Sequence, residues 1–224
     1  MYIVLEGIVG TGKSTQGERL AEYLQNFFPD TEVLLTREPG GTEIAEAIRI
    51  LVQGTDFVEV MDPLTEAYLY ASARAQLIAT CIKPVLDRWW IVVSDRNFVS
   101  SVVIQGVTKW LGIDLILEVN KSALQGIWPD LILFFDLDVA TGIRRTFDSD
   151  GDKHEREWRE FYEKQYEAYH RLGQHPLFEK VWEVIDARGS VDEVWERVKM
   201  RVRERIRIRD RIEKQNWETE WENN

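Results

Sequence analysis

Apolar and polar residues follow two different spacings along the chain. Five short apolar runs, each bounded by polar residues, predict buried β-strands. These runs cover residues 2–5, 33–35, 90–93, 131–135 and 181–185. The segments between them carry apolar residues at helical spacing, for example Leu20, Leu24, Phe27 and Phe28. Strands that alternate with helices predict an α/β fold, a doubly wound five-stranded parallel sheet covered by helices on both faces.

The length and composition favour one main domain. The chain has 224 residues, and 44% of them are hydrophobic, which is enough for a substantial core. We expect a phosphate-loop domain over residues 1–200. Residues 144–164 are polar and rich in both signs of charge, which is typical of a mobile lid.

The charge and cysteine content narrow the function classes. With 39 acidic and 28 basic residues, the formal net charge is −11, which argues against nucleic acid or a membrane surface as the main partner. A single cysteine, Cys81, excludes an intrachain disulfide and fits a reducing compartment. No apolar stretch approaches the length of a membrane span, and no secretory signal precedes the first strand. We therefore expect a cytoplasmic protein.

The segment directly after the first predicted strand matches the phosphate-binding pattern G-x-x-x-x-G-K-[ST] in full. Its glycines allow backbone N–H groups to point at phosphate oxygens, at the positive end of the following helix. Lys13 would reach the β- and γ-phosphates, and the Ser14 hydroxyl would hold Mg²⁺. The pattern predicts that ATP binds to Gly7, Ile8, Val9, Gly10, Thr11, Gly12, Lys13, Ser14 and Thr15.

Charged residues follow two further predicted strands, where the ligands of parallel sheets bind. Asp95 ends the third run and is a second candidate for Mg²⁺, and Arg96 beside it would reach an acceptor phosphate. A structural ion pair between these two residues is the alternative. Arg37 follows the second run and precedes the turn at residues 39–41.

Tyr70 and Arg74 lie four residues apart and therefore share one helix face. A planar ring beside a forked donor suits a nucleobase, since the ring can stack and the guanidinium can bond to a carbonyl. The alternative is a core tyrosine with an arginine at its rim.

The last segment, residues 201–224, forms a basic and then acidic extension that we expect to be frayed. Nine Lys and Arg residues occur between positions 197 and 214, and Glu218, Glu220 and Glu222 follow. Such a run is typical of a solvated helix, although a basic arm for a partner is the alternative. Alternating apolar and charged residues weaken the prediction of helix over 202–209.

Taken together, these motifs resemble the thymidylate kinase family. The matching segments are residues 5–16, 36–42, 69–76, 94–96, 100–101, 105–106, 129–138 and 185–187. They spread over roughly residues 2–200 and are specific in combination.

The resemblance implies transfer of the γ-phosphoryl group of ATP, with Mg²⁺, to the 5′-phosphate of dTMP. By the family pattern, Tyr70 stacks on thymine and Arg74 faces a base carbonyl, while Arg37 and Arg96 hold the acceptor phosphate. Three further residues would line the base pocket, namely Ser100, Ser101 and Gln105. A homodimer packed through helices near residues 62–86 and 98–124 is also implied.

Relatives place an additional catalytic arginine either in the phosphate loop or in the lid. Gly10 occupies the loop position, so the resemblance implies a lid cation, with Lys153, Arg156 and Arg159 as candidates. Lysine would be the weaker substitute, because it lacks the forked donor geometry of arginine.

Three departures from the family pattern keep other functions open. Val9 replaces an acidic residue that bonds the deoxyribose 3′-hydroxyl, and a valine side chain cannot do so. Asn97 and Ile104 replace aromatic residues. The alternatives are a kinase for another nucleoside monophosphate and a non-catalytic nucleotide-binding protein.

Overall fold

The computed structural model describes the backbone of residues 1–54, 57–147 and 153–222, and the side chains of these ranges except 153–157 and 208–222. Within the described residues, five parallel strands form one sheet in the order β2-β3-β1-β4-β5. The strands are β1 (Tyr2–Glu6), β2 (Val33–Arg37), β3 (Ile91–Asp95), β4 (Leu131–Asp136) and β5 (Trp182–Asp186). The five predicted strands and the parallel α/β architecture are confirmed, but β2 and β5 are only partly buried, because each lies at an edge of the sheet and has a neighbouring strand on one side alone.

Helices connect the strands and cover both faces of the sheet. They are α1 (Lys13–Phe27), α2 (Glu43–Gln53), α3 (Pro63–Leu77), α4 (Lys83–Leu86), α5 (Phe98–Ser101), α6 (Ile113–Ala123), α7 (Val139–Thr146), α8 (Lys153–Gly173) and α9 (Val191–Glu222). Two π-helical segments, Ile78–Ile82 and Val102–Thr108, join α3 to α4 and extend α5. Helix α9 is continuous through residues 202–209, where the alternating pattern weakened the prediction of helix.

The alternation of side chains along β1 divides the core between the two faces. Tyr2 and Val4 face α3, α5, α6 and α8, whereas Ile3 and Leu5 face α1 and α9. All five residues of β1 are buried, because the strand lies at the centre of the sheet with helices on each side. A rigid central strand therefore leads directly into the phosphate loop.

Part of the lid prediction can be compared with the structure. Helix α8 begins within the predicted lid, whereas residues 148–152 lie outside the described residues. The domain boundary at residue 200 and the fraying of residues 201–224 remain predictions. No helix in the described ranges is long and apolar enough to cross a membrane.

Close backbone packing fixes the phosphate loop against α7. A Cβ atom at Gly142 would lie 2.6 Å from the carbonyl oxygen of Val9. A Cβ atom at Gly10 would lie 2.1 Å from the carbonyl oxygen of Gly142, and Gly10 also has a positive φ of 72°. The two backbones can approach this closely because neither residue carries a side chain.

We predict that Gly142→Ala lowers the free energy of unfolding by about 1–3 kcal/mol, since the added methyl group displaces the backbone of the loop. Urea unfolding measures the change in the free energy of unfolding, and a nucleotide-binding titration measures the accompanying loss of affinity. Gly17→Ala is the matched control in α1, because its Cβ would lie 3.7 Å from the nearest leucine atoms. That control should be neutral or slightly stabilising, and equal losses in both variants would contradict the packing argument.

Candidate active site

The parallel register brings the predicted site residues to one edge of the sheet. Asp95 pairs in register with Leu5 on one side and with Arg37 on the other. The phosphate loop leaves β1 at the same level. Residues that are far apart in the sequence therefore meet beyond the carboxyl ends of β1, β2 and β3.

The phosphate loop curls around the ammonium group of Lys13. The Nζ atom donates to the carbonyl oxygens of Gly7 (3.0 Å) and Ile8 (2.7 Å) and to the Thr11 hydroxyl (3.0 Å). Helix α1 begins at Lys13, so its first N–H groups point toward the loop. This arrangement is a cradle for anionic oxygens, with a cation at its centre.

Burial changes the protonation of Lys13. Removal from water and the nearby Arg96 lower the pKa of its ammonium group to about 7, although Asp95 and Glu6 oppose the change. The charge of Lys13 is therefore sensitive to pH near neutrality, and an anionic ligand would favour the protonated form.

Ser14 and Asp95 form the predicted metal-binding pair. The Ser14 hydroxyl donates to Oδ2 of Asp95 at 2.6 Å. Oδ1 of Asp95 is buried and has no hydrogen-bond partner among the described residues. Hydroxyl and carboxylate oxygens are the ligands that Mg²⁺ prefers, and such sites use few protein ligands together with phosphate oxygens. The donor set therefore fits Mg²⁺.

Arg96 is held by a polar cluster around the buried carboxylate of Glu6. Its NH1 atom donates to the Ser100 hydroxyl (2.9 Å) and the Tyr169 hydroxyl (3.3 Å) and lies 3.8 Å from Oε2 of Glu6. Burial lowers the pKa of Arg96, but Tyr169, Glu6 and Asp95 outweigh it and raise the pKa above its ordinary value. The guanidinium is therefore charged and fixed in position.

Two cavities meet at this cluster. The loop cavity, about 410 Å³, is lined by residues 9–15 together with Arg37 and Asp95. A second cavity, about 400 Å³, extends away from the loop between α3, the second π-helical segment and α8, and is called the acceptor cavity after the role that the sequence predicts for its residues. Both are lined by Val9, Glu38, Arg49 and Arg96.

The acceptor cavity contains most of the predicted substrate-binding residues. Those that line it are Tyr70, Arg74, Arg96, Ser100, Ser101 and Gln105. Arg37 instead lines the loop cavity, and its NH2 atom donates to both carboxylate oxygens of Glu46 at 3.1 and 3.2 Å. One cavity thus carries phosphate-binding groups and its neighbour carries groups suited to a nucleobase.

Comparisons with known proteins identify the family of the chain. Residues 5–198 match the family model described as "Thymidylate kinase". The chain belongs to the thymidylate kinase family. It is 40% identical to a thymidylate kinase of Finegoldia magna over 199 residues, which cover 88% of this chain and 95% of that relative. It is 39% identical to a thymidylate kinase of Halothermothrix orenii over 202 residues, covering 88% and 94%.

A solved structure confirms the family at the level of the fold. The thymidylate kinase of Ehrlichia chaffeensis superimposes with a TM-score of 0.74 at 27% identity, covering 90% of this chain and 98% of that one. The resemblance inferred from the motifs is therefore confirmed, and the chain is a transferase of the kinase class.

Within this family member, Arg74 has buried partners that its sequence spacing does not reveal. It is 2% exposed, and its Nε donates to Oε2 of Glu38 at 2.5 Å. Its other nitrogens donate to Asn120 and to Ser101. Burial raises the pKa of Glu38, and Arg74 opposes this change. The guanidinium is thus fixed in the wall of the acceptor cavity.

Helix α8 contributes residues that sequence reasoning missed. Phe161, Tyr162 and Gln165 line the acceptor cavity from this helix. Their spacing of three and four residues places them on one face, a signal that was present in the sequence. The side chains of the lid candidates Lys153 and Arg156 lie outside the described residues.

We predict that the free energy of unfolding of the nucleotide-free protein contains a pH-dependent contribution from Lys13. The unfolded lysine keeps its proton up to about 10.5, whereas the folded one releases it near 7. The unfolded chain therefore binds more protons between these values, and stability should rise with pH there.

Lys13→Met should remove this contribution, so its stability should rise less with pH than that of the unmodified chain. Urea unfolding of both proteins between about pH 6.5 and 9 isolates the contribution of Lys13, since the contributions of the other titratable groups are the same in both proteins and cancel. Parallel curves for the two proteins would show that Lys13 keeps its proton in the folded loop.

Proposed function

We propose that the protein transfers the γ-phosphoryl group of ATP, in the presence of Mg²⁺, to the 5′-phosphate of dTMP, giving ADP and dTDP. The observation that carries the proposal is the meeting of the two cavities at Arg96. A donor phosphate in the loop cavity and an acceptor phosphate at its border would both lie near that guanidinium. A protein that merely binds nucleotide does not need the second site.

On the donor side, the proposed roles follow from charge and position. Backbone N–H groups of the loop bind phosphate oxygens, and Lys13 neutralises charge on the β- and γ-phosphates. Ser14 and Asp95 would hold Mg²⁺, which when bound neutralises charge on the same phosphates. Phosphoryl transfer depends mainly on positioning and on positive charge along the path of the group.

On the acceptor side, the contacts of Gln105 favour thymine over cytosine. Its Nε2 donates to Oε1 of Glu66 at 2.6 Å, and a carboxylate can only accept, which fixes the amide orientation. Glu66 is held from its other oxygen by Lys109. The Oε1 atom of Gln105 is then left to accept from a base N–H group at N3, which thymine has, whereas cytosine carries no proton at N3 and has its N–H donors on the exocyclic N4.

The remaining acceptor contacts are proposed from placement in the same cavity. Tyr70 would stack on the base, and Arg74 would donate a remaining N–H to a base carbonyl. Ser100 and Ser101 would complete the pocket wall. Arg96, with Arg37 from the loop cavity, would bind the acceptor phosphate.

The lid is proposed to supply one further cation. Gly10 cannot carry an arginine, because the carbonyl of Gly142 occupies the space where a side chain would begin. Lys153 and Arg156 are therefore the candidates for a group that closes over the transferred phosphoryl.

Two further properties are proposed. Tyr68 on α3 and Leu115 on α6 expose large side chains, 54% and 40% respectively, which supports a homodimer packed through these helices. The lone thiol, Cys81, supports a reducing cytoplasmic location.

Because Val9, Asn97 and Ile104 line the acceptor cavity, a different nucleoside monophosphate is the second candidate acceptor.

The deciding experiment is coupled detection of ADP with ATP, Mg²⁺ and a panel of acceptors: dTMP, dUMP, dCMP, dGMP, dAMP and the ribose form of TMP. We expect kcat/KM for dTMP to exceed that for dCMP at least about a hundredfold, because dCMP leaves Gln105 without a donor at N3. Removal of Mg²⁺ by a chelator should abolish turnover.

Two variants make the assay specific. Lys13→Ala should reduce turnover to background, whereas Lys83→Ala, at an exposed lysine paired with Asp87, should leave it unchanged. A preference for another acceptor would support the second candidate. Tight ATP binding without turnover on any acceptor would contradict the kinase assignment.

A further inference from the structure

Gln165 carries a buried carboxamide that has no role in the reaction proposed above. It lies on α8, is 2% exposed and lines the acceptor cavity. Its Nε2 atom has no hydrogen-bond partner within the described part of the chain. Burial of an unpaired amide is costly, so such a group inside a ligand cavity indicates a missing partner.

Contacts on each side place Gln165 midway along the cavity. One helical turn later, the Tyr169 hydroxyl lies 3.2 Å from the Ser100 hydroxyl and 3.3 Å from Arg96. One residue earlier, the Lys164 ammonium lies 6.0 Å from the centre of the Trp110 ring. Helix α8 therefore runs antiparallel to the segment 100–110, and Gln165 lies between the Arg96 end and the far end of that segment.

The other unpaired polar atoms of the cavity wall belong to residues on other elements than α8. Oε1 of Glu38 belongs to the carboxylate that accepts from Arg74, and Oε1 of Gln105 is the atom proposed above to accept from the base. The Asn97 side chain is fixed at the start of α5, where its Oδ1 accepts from the backbone N–H of Val99, and its Nδ2 is unpaired among the described residues. Gln165 is the one of these groups that lies on α8, whereas Tyr70, Arg74 and Gln105, which are proposed to bind the base, lie on α3 and the second π-helical segment.

The group of a deoxynucleotide that lies between base and phosphate is the sugar. Its free 3′-hydroxyl can both donate and accept, so it pairs with a carboxamide in either orientation. Val9, at the border of the two cavities, has no side-chain atom that could bond to that hydroxyl. If a side chain on α8 binds the sugar hydroxyl, no polar side chain is needed at position 9.

We propose that Gln165 binds the 3′-hydroxyl of the acceptor and thereby replaces an acidic side chain at position 9. This assignment rests on the proposed function, since it takes the acceptor to be a deoxynucleoside monophosphate. Gln165 is then a specificity-determining residue supplied by the helix that extends from the lid.

The test is a thermodynamic cycle in which each of two proteins is assayed with each of two acceptors. The unmodified chain and Gln165→Leu are each assayed with dTMP and with its 3′-deoxy analogue. Removing the hydroxyl should lower kcat/KM of the unmodified chain about threefold to tenfold, the effect of one neutral hydrogen bond. Gln165→Leu should show the same loss with dTMP and no further loss with the analogue, and its KM for ATP should not change.

Two more variants separate recognition from packing. Gln165→Glu keeps an acceptor for the hydroxyl and should keep the discrimination between the two acceptors. Gln174→Leu, at an exposed glutamine just beyond α8, should behave as the unmodified chain. If Gln165→Leu fails to fold, Gln165→Met takes its place in the cycle.

The outcomes are distinct. If the losses from Gln165→Leu and from the analogue multiply, the side chain does not contact the hydroxyl and the assignment is wrong. Equal activity of the unmodified chain on both acceptors would also overturn it. Absence of turnover on dTMP by the unmodified chain would instead refute the proposed function.

Discussion

The site depends on one buried carboxylate, that of Glu6 at the end of the central strand. Its Oε1 accepts from the backbone N–H groups of Asn97 (2.9 Å) and Ser100 (3.2 Å). Its Oε2 accepts from the hydroxyls of Ser100 (2.7 Å) and Tyr169 (2.8 Å). A fully buried charge is tolerated only when such bonds satisfy it, and here the bonds join β1, α5 and α8 around Arg96.

The buried carboxylate of Glu6 links the phosphate-binding Arg96 to the helix that follows the lid. Arg96 has a positive φ of 71°, an uncommon conformation for arginine that the bonds on each side of it hold in place. Burial and the carboxylate of Glu6 raise the pKa of Tyr169, so its phenol stays neutral and donates. Because Tyr169 lies on α8, the helix that follows the lid is bonded to the same carboxylate that positions the phosphate-binding arginine.

The sequence predicts those features that depend on neighbouring residues. The five strands contain short, mainly apolar runs, and the phosphate loop is a local pattern whose glycines and lysine act within eight positions. Tyr70 and Arg74 share a face because helical spacing requires it. Tertiary partners are different: Arg74 meets Glu38 and Asn120 across 36 and 46 positions, and no periodicity encodes those distances. Gln165 also needs the packing of α8 against residues 100–110 before its position is known.

The most direct test of the central role of Glu6 is the kinetics and ATP affinity of Glu6→Gln. The carboxamide keeps the shape but turns a donor toward groups that now donate to the carboxylate, so Arg96 should lose its position. We expect kcat/KM for the acceptor to fall more than about tenfold while the Kd for ATP changes less, because Glu6 hydrogen-bonds to the groups around Arg96 but acts on Lys13 only through its charge. Unchanged acceptor kinetics, or an equal loss of ATP affinity, would contradict this account.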